Sequence, residues 1–273
     1  VEISKSDGYL YITSNGIPDH QTGNFPNNGN PHVISKQNYK FRVTLNPKLQ
    51  SSATIMKRMP FGVAINGVPF DPATAECYGQ TRGQRVTNCQ WNIEGIVNGQ
   101  GKLGLDHSNA HVQPNGSYHY HGIPVGIISN IKNNNSDLVH VGYAADGFKI
   151  MYSKSNKYKA GYKLKTGNRP VGNGQPGGKY DGTYTQDFIF DASYGNLDKC
   201  NGISLQEYVY FVTDHYPYVP RCWMGKFDQS FIRDSGGGGG RSSGYNRRGD
   251  RDFIGKDNEH RGHRPPPHRK QFY

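Results

Sequence analysis

Tyr39-Lys40-Phe41-Arg42-Val43-Thr44-Leu45 alternates apolar and polar side chains. A period of two places Tyr39, Phe41, Val43 and Leu45 on one face of a half-buried strand. Outward from this stretch the same signal recurs. Tyr9 to Thr13 is short and β-rich. Gly62 to Ile65 and Val68 to Phe70 flank Asn66-Gly67, a pair read as a two-residue hairpin loop. Val139 to Ala144 and Phe148 to Tyr152 flank Ala145-Asp146-Gly147, a second hairpin. Glu207 to Thr213 is continuous β-branched and aromatic sequence, expected to be buried on both faces. Helical signals are thin, one turn at Ala73 to Cys77 and a short piece within Asp198 to Tyr208. The expected fold is therefore all-β with little helix, an antiparallel sandwich or barrel-like domain.

The aliphatic content is low, but 19 Tyr and 12 Phe supply large buried areas, and they recur through residue 232. The composition changes after Asp234. Ser235 is followed by five glycines, and the rest is Arg-, Gly- and His-rich. Residues 235–273 carry nine Lys/Arg against four Asp/Glu, so they hold +5 of the net charge of +11. Such a segment cannot bury enough surface to offset its ordering entropy. The expected organisation is a β-rich globular domain over 1–234 and a disordered basic tail over 235–273. In that tail Arg241, Arg247, Arg248, Arg251, His260, Arg261, His263, Arg264, His268, Arg269 and Lys270 form a polycation suited to acidic polymers or mineral surfaces.

Four cysteines, Cys77, Cys89, Cys200 and Cys222, fall into two local pairs without a CxxC motif, which weakens zinc-ribbon and thioredoxin readings. Two disulfides are expected, Cys77–Cys89 with Cys200–Cys222 being the favoured one of three connectivities, and with them an oxidising, extracellular compartment. That compartment demotes nucleic acid as a partner. The most apolar run, Gly122 to Ile131, is too short to span a membrane and is broken by Pro124. Asn115 and Asn134 head sequons in polar stretches and are candidate glycosylation sites.

His107, His111, His119 and His121 lie within 15 residues. In an extended Tyr118-His119-Tyr120-His121, both histidines project to one side and both tyrosines to the other. Pro114-Asn115-Gly116 turns the chain so that the His111 segment returns antiparallel. A two-residue loop would pair His111 with Tyr120 and face it away; a three-residue loop would bring it toward His121. In the second register His111, His119 and His121 form a three-imidazole site for zinc or copper. Asp106, Asp146, Tyr118 and Tyr120 are candidates to support those imidazoles. The competing reading is a structural polar network. Asp106, Asp146, Asp187, Asp198 and Asp214 are read as turn formers, with calcium as the alternative cofactor. Nucleophile-elbow, HExxH, P-loop and dinucleotide signatures are absent, so nothing specifies a reaction or a catalytic residue.

Several segments together resemble the YHYH domain family: Asn109-Ala110-His111-Val112-Gln113-Pro114, Tyr118-His119-Tyr120-His121-Gly122, Gly142 to Phe148, Cys200-Asn201-Gly202 and Thr213 to Tyr218 with Cys222. The resemblance spans roughly residues 60 to 225 in family order and implies a secreted protein, with no established activity to carry over. The functional expectation is a secreted, non-enzymatic binding or matrix protein, self-associating through its scaffold, with a metal-binding centre and a tail that engages silica or another biomineral. The alternative is a metal-dependent hydrolase or oxidase.

Overall fold

The structure, a computed structural model, describes residues 1–56, 59–80, 89–131 and 135–232. The basic residues from Arg241 to Lys270 and the sequon residue Asn134 lie outside the described residues. In chain order the strands are β1 (Glu2–Ser6), β2 (Tyr9–Ser14), β3 (Tyr39–Thr44), β4 (Thr54–Ile55), β5 (Gly62–Ala64), β6 (Pro69–Phe70), β7 (Ile96–Val97) and β8 (Gln100–Gly101). There follow β9 (Ala110–Val112), β10 (Tyr118–Tyr120), β11 (Leu138–Ala144), β12 (Lys149–Ser153), β13 (Tyr162–Leu164), β14 (Phe188–Phe190), β15 (Gly202–Ser204), β16 (Tyr208–Phe211) and β17 (Cys222–Trp223).

Two sheets carry the fold. The smaller has the order β1-β2-β3, and the larger runs β15-β16-β12-β11-β5-β6-β10-β9. Alternation does what the sequence requires. Leu10 and Ile12 of β2 point inward with Phe41 and Val43 of β3, and they join one core with Phe61, Val63, Phe70, Tyr118, Tyr120 and Trp223. This shared core packs the two sheets together as β layers. Leu45 does not belong to it and is 41% exposed. The β2–β3 ladder ends at Tyr9 opposite Thr44, so Leu45 faces the Asp7-Gly8 turn instead of a strand.

The domain is mostly β with little helix, as expected, and most strand pairs are antiparallel, with two exceptions. Strand β10 pairs with β6 in parallel, and so does β12 with β16. The two helical expectations fail. Cys77 bridges Asn92 in an extended segment, and Gly202–Ser204 is a strand because it pairs with β16. The single described α-helix, α1, is Val125–Asn130, from the apolar run after Pro124, with Ile127 buried. Among the described residues no helix is long and apolar enough to cross a membrane. Both disulfides form as expected, Cys77–Cys89 with Cα atoms 5.7 Å apart and Cys200–Cys222 with Cα atoms 5.1 Å apart.

One turn type recurs and fixes the register of three hairpins. In Ala64–Val68, Gln113–Ser117 and Ala144–Phe148 the glycine N–H donates to the carbonyl three residues earlier, while the flanking residues close the ladder. Gly67, Gly116 and Gly147 have φ of 77°, 82° and 99°. Each is a three-residue loop, a β-turn followed by a left-handed glycine. The two-residue reading of Asn66-Gly67 is therefore corrected by one residue. By contrast Asp7-Gly8 is a true two-residue loop, with both residues at positive φ and Ser6 opposite Tyr9.

Candidate metal centre

The loop after β9 determines where the histidines point. Pro114 has no N–H, so it cannot serve as the closing ladder residue that a two-residue Asn115-Gly116 loop would need. As the first residue of a three-residue loop, the second position of the turn Gln113–Gly116, its fixed φ is suitable. The closing pair is then Gln113 with Ser117, and His111 falls directly opposite His119. The expected side is right, but the direct neighbour is His119, not His121. Pairing continues one step past β10, because the His121 N–H donates to the Asn109 carbonyl at 2.7 Å. This places all three imidazoles on one face of the β9–β10 edge.

The rings converge through one nitrogen each. His121 Nε2 lies 2.9 Å from His119 Nε2 and 3.1 Å from His111 Nε2, and the three donor atoms fall within 4.8 Å of one another. A tetrahedral ion at about 2.0 Å from each ligand holds neighbouring nitrogens about 3.3 Å apart. The two spacings from His121 are slightly short of that value and the third pair lies within 4.8 Å, so small ring adjustments bring the set to coordination geometry. His119 and His121 are 1% and 3% exposed, while His111 is half-buried on the edge strand.

Backbone carbonyls fix the tautomers. His111 Nδ1 donates to the Leu103 carbonyl at 2.9 Å and His119 Nδ1 to the Ser117 carbonyl at 3.1 Å. Carbonyls only accept, so both Nδ1 atoms carry hydrogen and the neutral rings present Nε2 lone pairs inward. A single proton on His121 Nε2 serves one of those lone pairs, whereas a metal ion accepts all three. His121 Nδ1 is buried without a hydrogen bond, even though the Pro72 carbonyl favours its charged form. Gly95 packs on that ring: a Cβ there would sit 3.1 Å from Nδ1. Burial pulls the His121 pKa well below the usual imidazole range, helped by His111, His119 and Arg221, and burial also lowers His111. Burial thus favours the neutral form of His111 and His121, the form that binds metal.

The supporting residues expected from sequence lie elsewhere. Tyr118 and Tyr120 occupy the opposite face, as alternation demands. Tyr118 donates its hydroxyl to Asp106 at 2.7 Å, and Asp106 also accepts from the N–H groups of Gly23, Ser108 and Ala110. Tyr120 donates to His20 Nε2 at 2.6 Å and accepts from Asn66 at 3.0 Å. Asp146 accepts from the Tyr210 hydroxyl and the Gly225 N–H. Neither acid bonds to an imidazole of the triad. The groups that orient the rings are backbone carbonyls, which no residue type in the sequence signals. His107 is exposed and outside the cluster.

A family model described as YHYH protein matches residues 40–225. The chain belongs to the YHYH family. The match contains all three histidines and both disulfides, so the converging imidazoles sit inside the family domain. No curated protein and no solved structure matches the chain.

Two of the remaining acids named from the sequence act as hydrogen-bond acceptors for the fold of this YHYH domain. Asp187 is fully buried and takes the Arg169 guanidinium together with the N–H groups of Gly182 and Tyr184. Asp198 accepts from Cys200, Gly202 and the Tyr208 hydroxyl, and Asp214 is exposed. Among the described residues the one group of three or more His, Cys, Asp or Glu ligands is the histidine triad. Calcium takes oxygen ligands, so an all-imidazole set does not suit it. Asn115 is exposed at its loop tip, compatible with a glycan.

Proposed function

We propose that this protein is a secreted, non-enzymatic metal-binding scaffold. Its folded part holds one zinc or copper ion on His111, His119 and His121, and its cationic C-terminal segment engages acidic polymers or a mineral such as silica. The observation that carries the metal reading is the convergence of three Nε2 atoms, with the His111 and His119 tautomers set by the Leu103 and Ser117 carbonyls. Imidazole nitrogen suits zinc and copper among available ions. The two disulfides support an oxidising compartment. Support for the tail's role is compositional, its net charge of +5 over 39 residues.

Elemental analysis of the untagged protein tests the first part. The expected result is about one equivalent of zinc or copper; less than about a tenth of an equivalent, unchanged after incubation with either ion, removes the metal reading. Incubating silicic acid with the full chain and with a chain ending at Asp234 tests the second part. The full chain should precipitate silica faster, and equal precipitation removes the tail from the proposal.

One observation favours a second reading. Three protein ligands, one of them half-exposed, is the number that catalytic zinc sites keep while leaving a position for water. A metal there would supply an activated water or a redox centre. Ester hydrolysis by zinc-loaded protein, or oxidation of ascorbate by copper-loaded protein, lost in His119→Ala, would replace the non-enzymatic reading with this one.

A further inference from the structure

Lys154-Ser155-Asn156-Lys157-Tyr158-Lys159-Ala160-Gly161-Tyr162-Lys163-Leu164-Lys165 carries five lysines and no acid in 12 residues. Like charges at this density repel one another, and such a run left to itself favours an open, solvated chain. Here it is fixed to the domain. Tyr158 stacks on the buried Phe211 ring with centroids 4.4 Å apart. The Asn196 side chain clamps the backbone on both sides of Tyr158: its Nδ2 donates to the Lys157 carbonyl at 2.9 Å, and its Oδ1 accepts from the Lys159 N–H at 2.8 Å. The N–H groups of Asn196 and Leu197 both donate to the Lys159 carbonyl at 3.1 Å. Gly195 packs so closely that a Cβ there would run into the Lys159 and Ala160 carbonyls. Further along, β13 pairs with β14, and the Tyr162 hydroxyl donates to the Lys199 carbonyl at 2.8 Å.

These anchors use backbone atoms and aromatic rings, which leaves the ammonium groups to solvent. Lys154, Lys157, Lys159, Lys163 and Lys199 are all exposed. Lys163 pairs with Asp191, whereas the Lys159 and Lys199 side chains make no ion pair or hydrogen bond among the described residues. Elsewhere the pattern is different: Arg42, Lys149 and Arg221 each meet one carboxylate, and Arg169 meets two. Tyr194, next to Gly195, adds a ring that is 62% exposed. Cations mounted rigidly side by side cost stability, and nothing in the fold gains from them. A local cost without a structural return points to function.

We propose that this surface, Lys154 to Lys163 with Tyr194 and Lys199, docks a linear sulfated polysaccharide. It is a second polyanion site, carried by the folded domain and separate from the cationic tail. Ammonium groups act as point charges that suit many anion geometries. An array of them gains affinity by releasing the counterions condensed on the polymer. That gain grows with charge density, which favours sulfated chains over plain uronates. The exposed tyrosine offers an apolar face with a polar tip to a sugar ring. The two disulfides support an oxidising compartment, which disfavours nucleic acid as the occupant.

The test uses the full chain with Arg247, Arg248, Arg251, Arg261 and Arg264 replaced by serine. Residues 235–273 then hold four basic residues, nine less five, against four acidic ones, so the tail is neutral. Binding to dextran sulfate is measured by fluorescence anisotropy over a range of salt, with neutral dextran and duplex DNA as comparison polymers. Dextran sulfate should bind saturably and dextran should not. Lys157→Gln with Lys159→Gln and Lys199→Gln should weaken binding at least about tenfold and lower the slope of log Kd against log salt by about 2 to 3. Lys5→Gln with Lys36→Gln and Lys48→Gln removes the same charge elsewhere and should change Kd less than about twofold. Tyr194→Ser should weaken binding about threefold with the salt slope unchanged. Equal losses in the two triple variants, no dextran sulfate binding by the neutral-tail chain, or tighter binding of duplex DNA than of dextran sulfate overturns the proposal. The tail's own role is decided separately by silica precipitation, so failure of either reading leaves the other to its own result.

Discussion

The two faces of Tyr118–Tyr120 and its neighbours meet very different surroundings. On the tyrosine face both hydroxyls are matched to Asp106, His20 and Asn66, and the anion of Asp106 receives three further backbone N–H groups. On the histidine face three Nε2 atoms are aimed at one another, more lone pairs than the one shared proton can serve. A polar set that is complete within the protein explains itself as structure. A buried set that is complete only when something else is added points to a ligand.

The largest expected effect separates the faces directly. His119→Ala with His121→Ala should abolish high-affinity zinc or copper binding, a loss of at least about a thousandfold in Kd, read by chelator competition. Tyr118→Phe should leave that Kd unchanged. If both variants weaken the metal equally, the faces are not functionally distinct.

Gly116→Val attacks the turn that brings the faces into register. At φ 82° a β-branched residue is strained by about 1–3 kcal/mol, and its Cβ would also run into Ser35. Both melting temperature and metal affinity should fall. Retained affinity with a lowered melting temperature would mean that the register does not depend on this turn.

Asp146 sharpens the comparison through pH. Burial raises its pKa to about 6, against about 3.9 in an unfolded chain. The native state therefore binds this proton more tightly, and the contribution becomes more favourable as pH falls from above 6 toward 4. The difference is on the order of 2 kcal/mol. Denaturant titrations at pH 7 and pH 4.5 should show wild type gaining stability relative to Asp146→Asn on acidification. An equal difference at both values would contradict the assignment.

Smallest is Tyr118→Phe itself. Asp106 keeps its three N–H donors, so the loss should be about 1 kcal/mol, a fall of a few degrees in melting temperature.

Much of this was legible in the residues. Alternation in Tyr39–Thr44 gave the strand, and Tyr-His-Tyr-His gave the two faces, because side-chain parity along a strand is local. The sequence reading left the register at the loop after β9 open between two lengths, although the missing N–H of Pro114 decides for three loop residues and turns His111 toward the other imidazoles. The turn signal went astray at Asn66-Gly67, since Asn-Gly serves both two- and three-residue loops, and only the pairing of Ala64 with Val68 distinguishes them. Long-range partners were not legible. Arg221 and Glu94 are 127 residues apart, and the parallel β6–β10 and β12–β16 pairs join strands through connections that carry no turn signal. Asp106 and Asp146 looked like supports for the histidines because they lie near motif residues in sequence. Their oxygens instead serve the hydroxyls of Tyr118 and Tyr210.

X-ray absorption at the metal edge of zinc- or copper-loaded protein tests the central claim most directly. The account expects three imidazole nitrogens at about 2.0 Å with one oxygen ligand, and loss of the imidazole signal in the His119→Ala, His121→Ala protein. A spectrum dominated by oxygen, with fewer than two imidazoles on the ion, would contradict it.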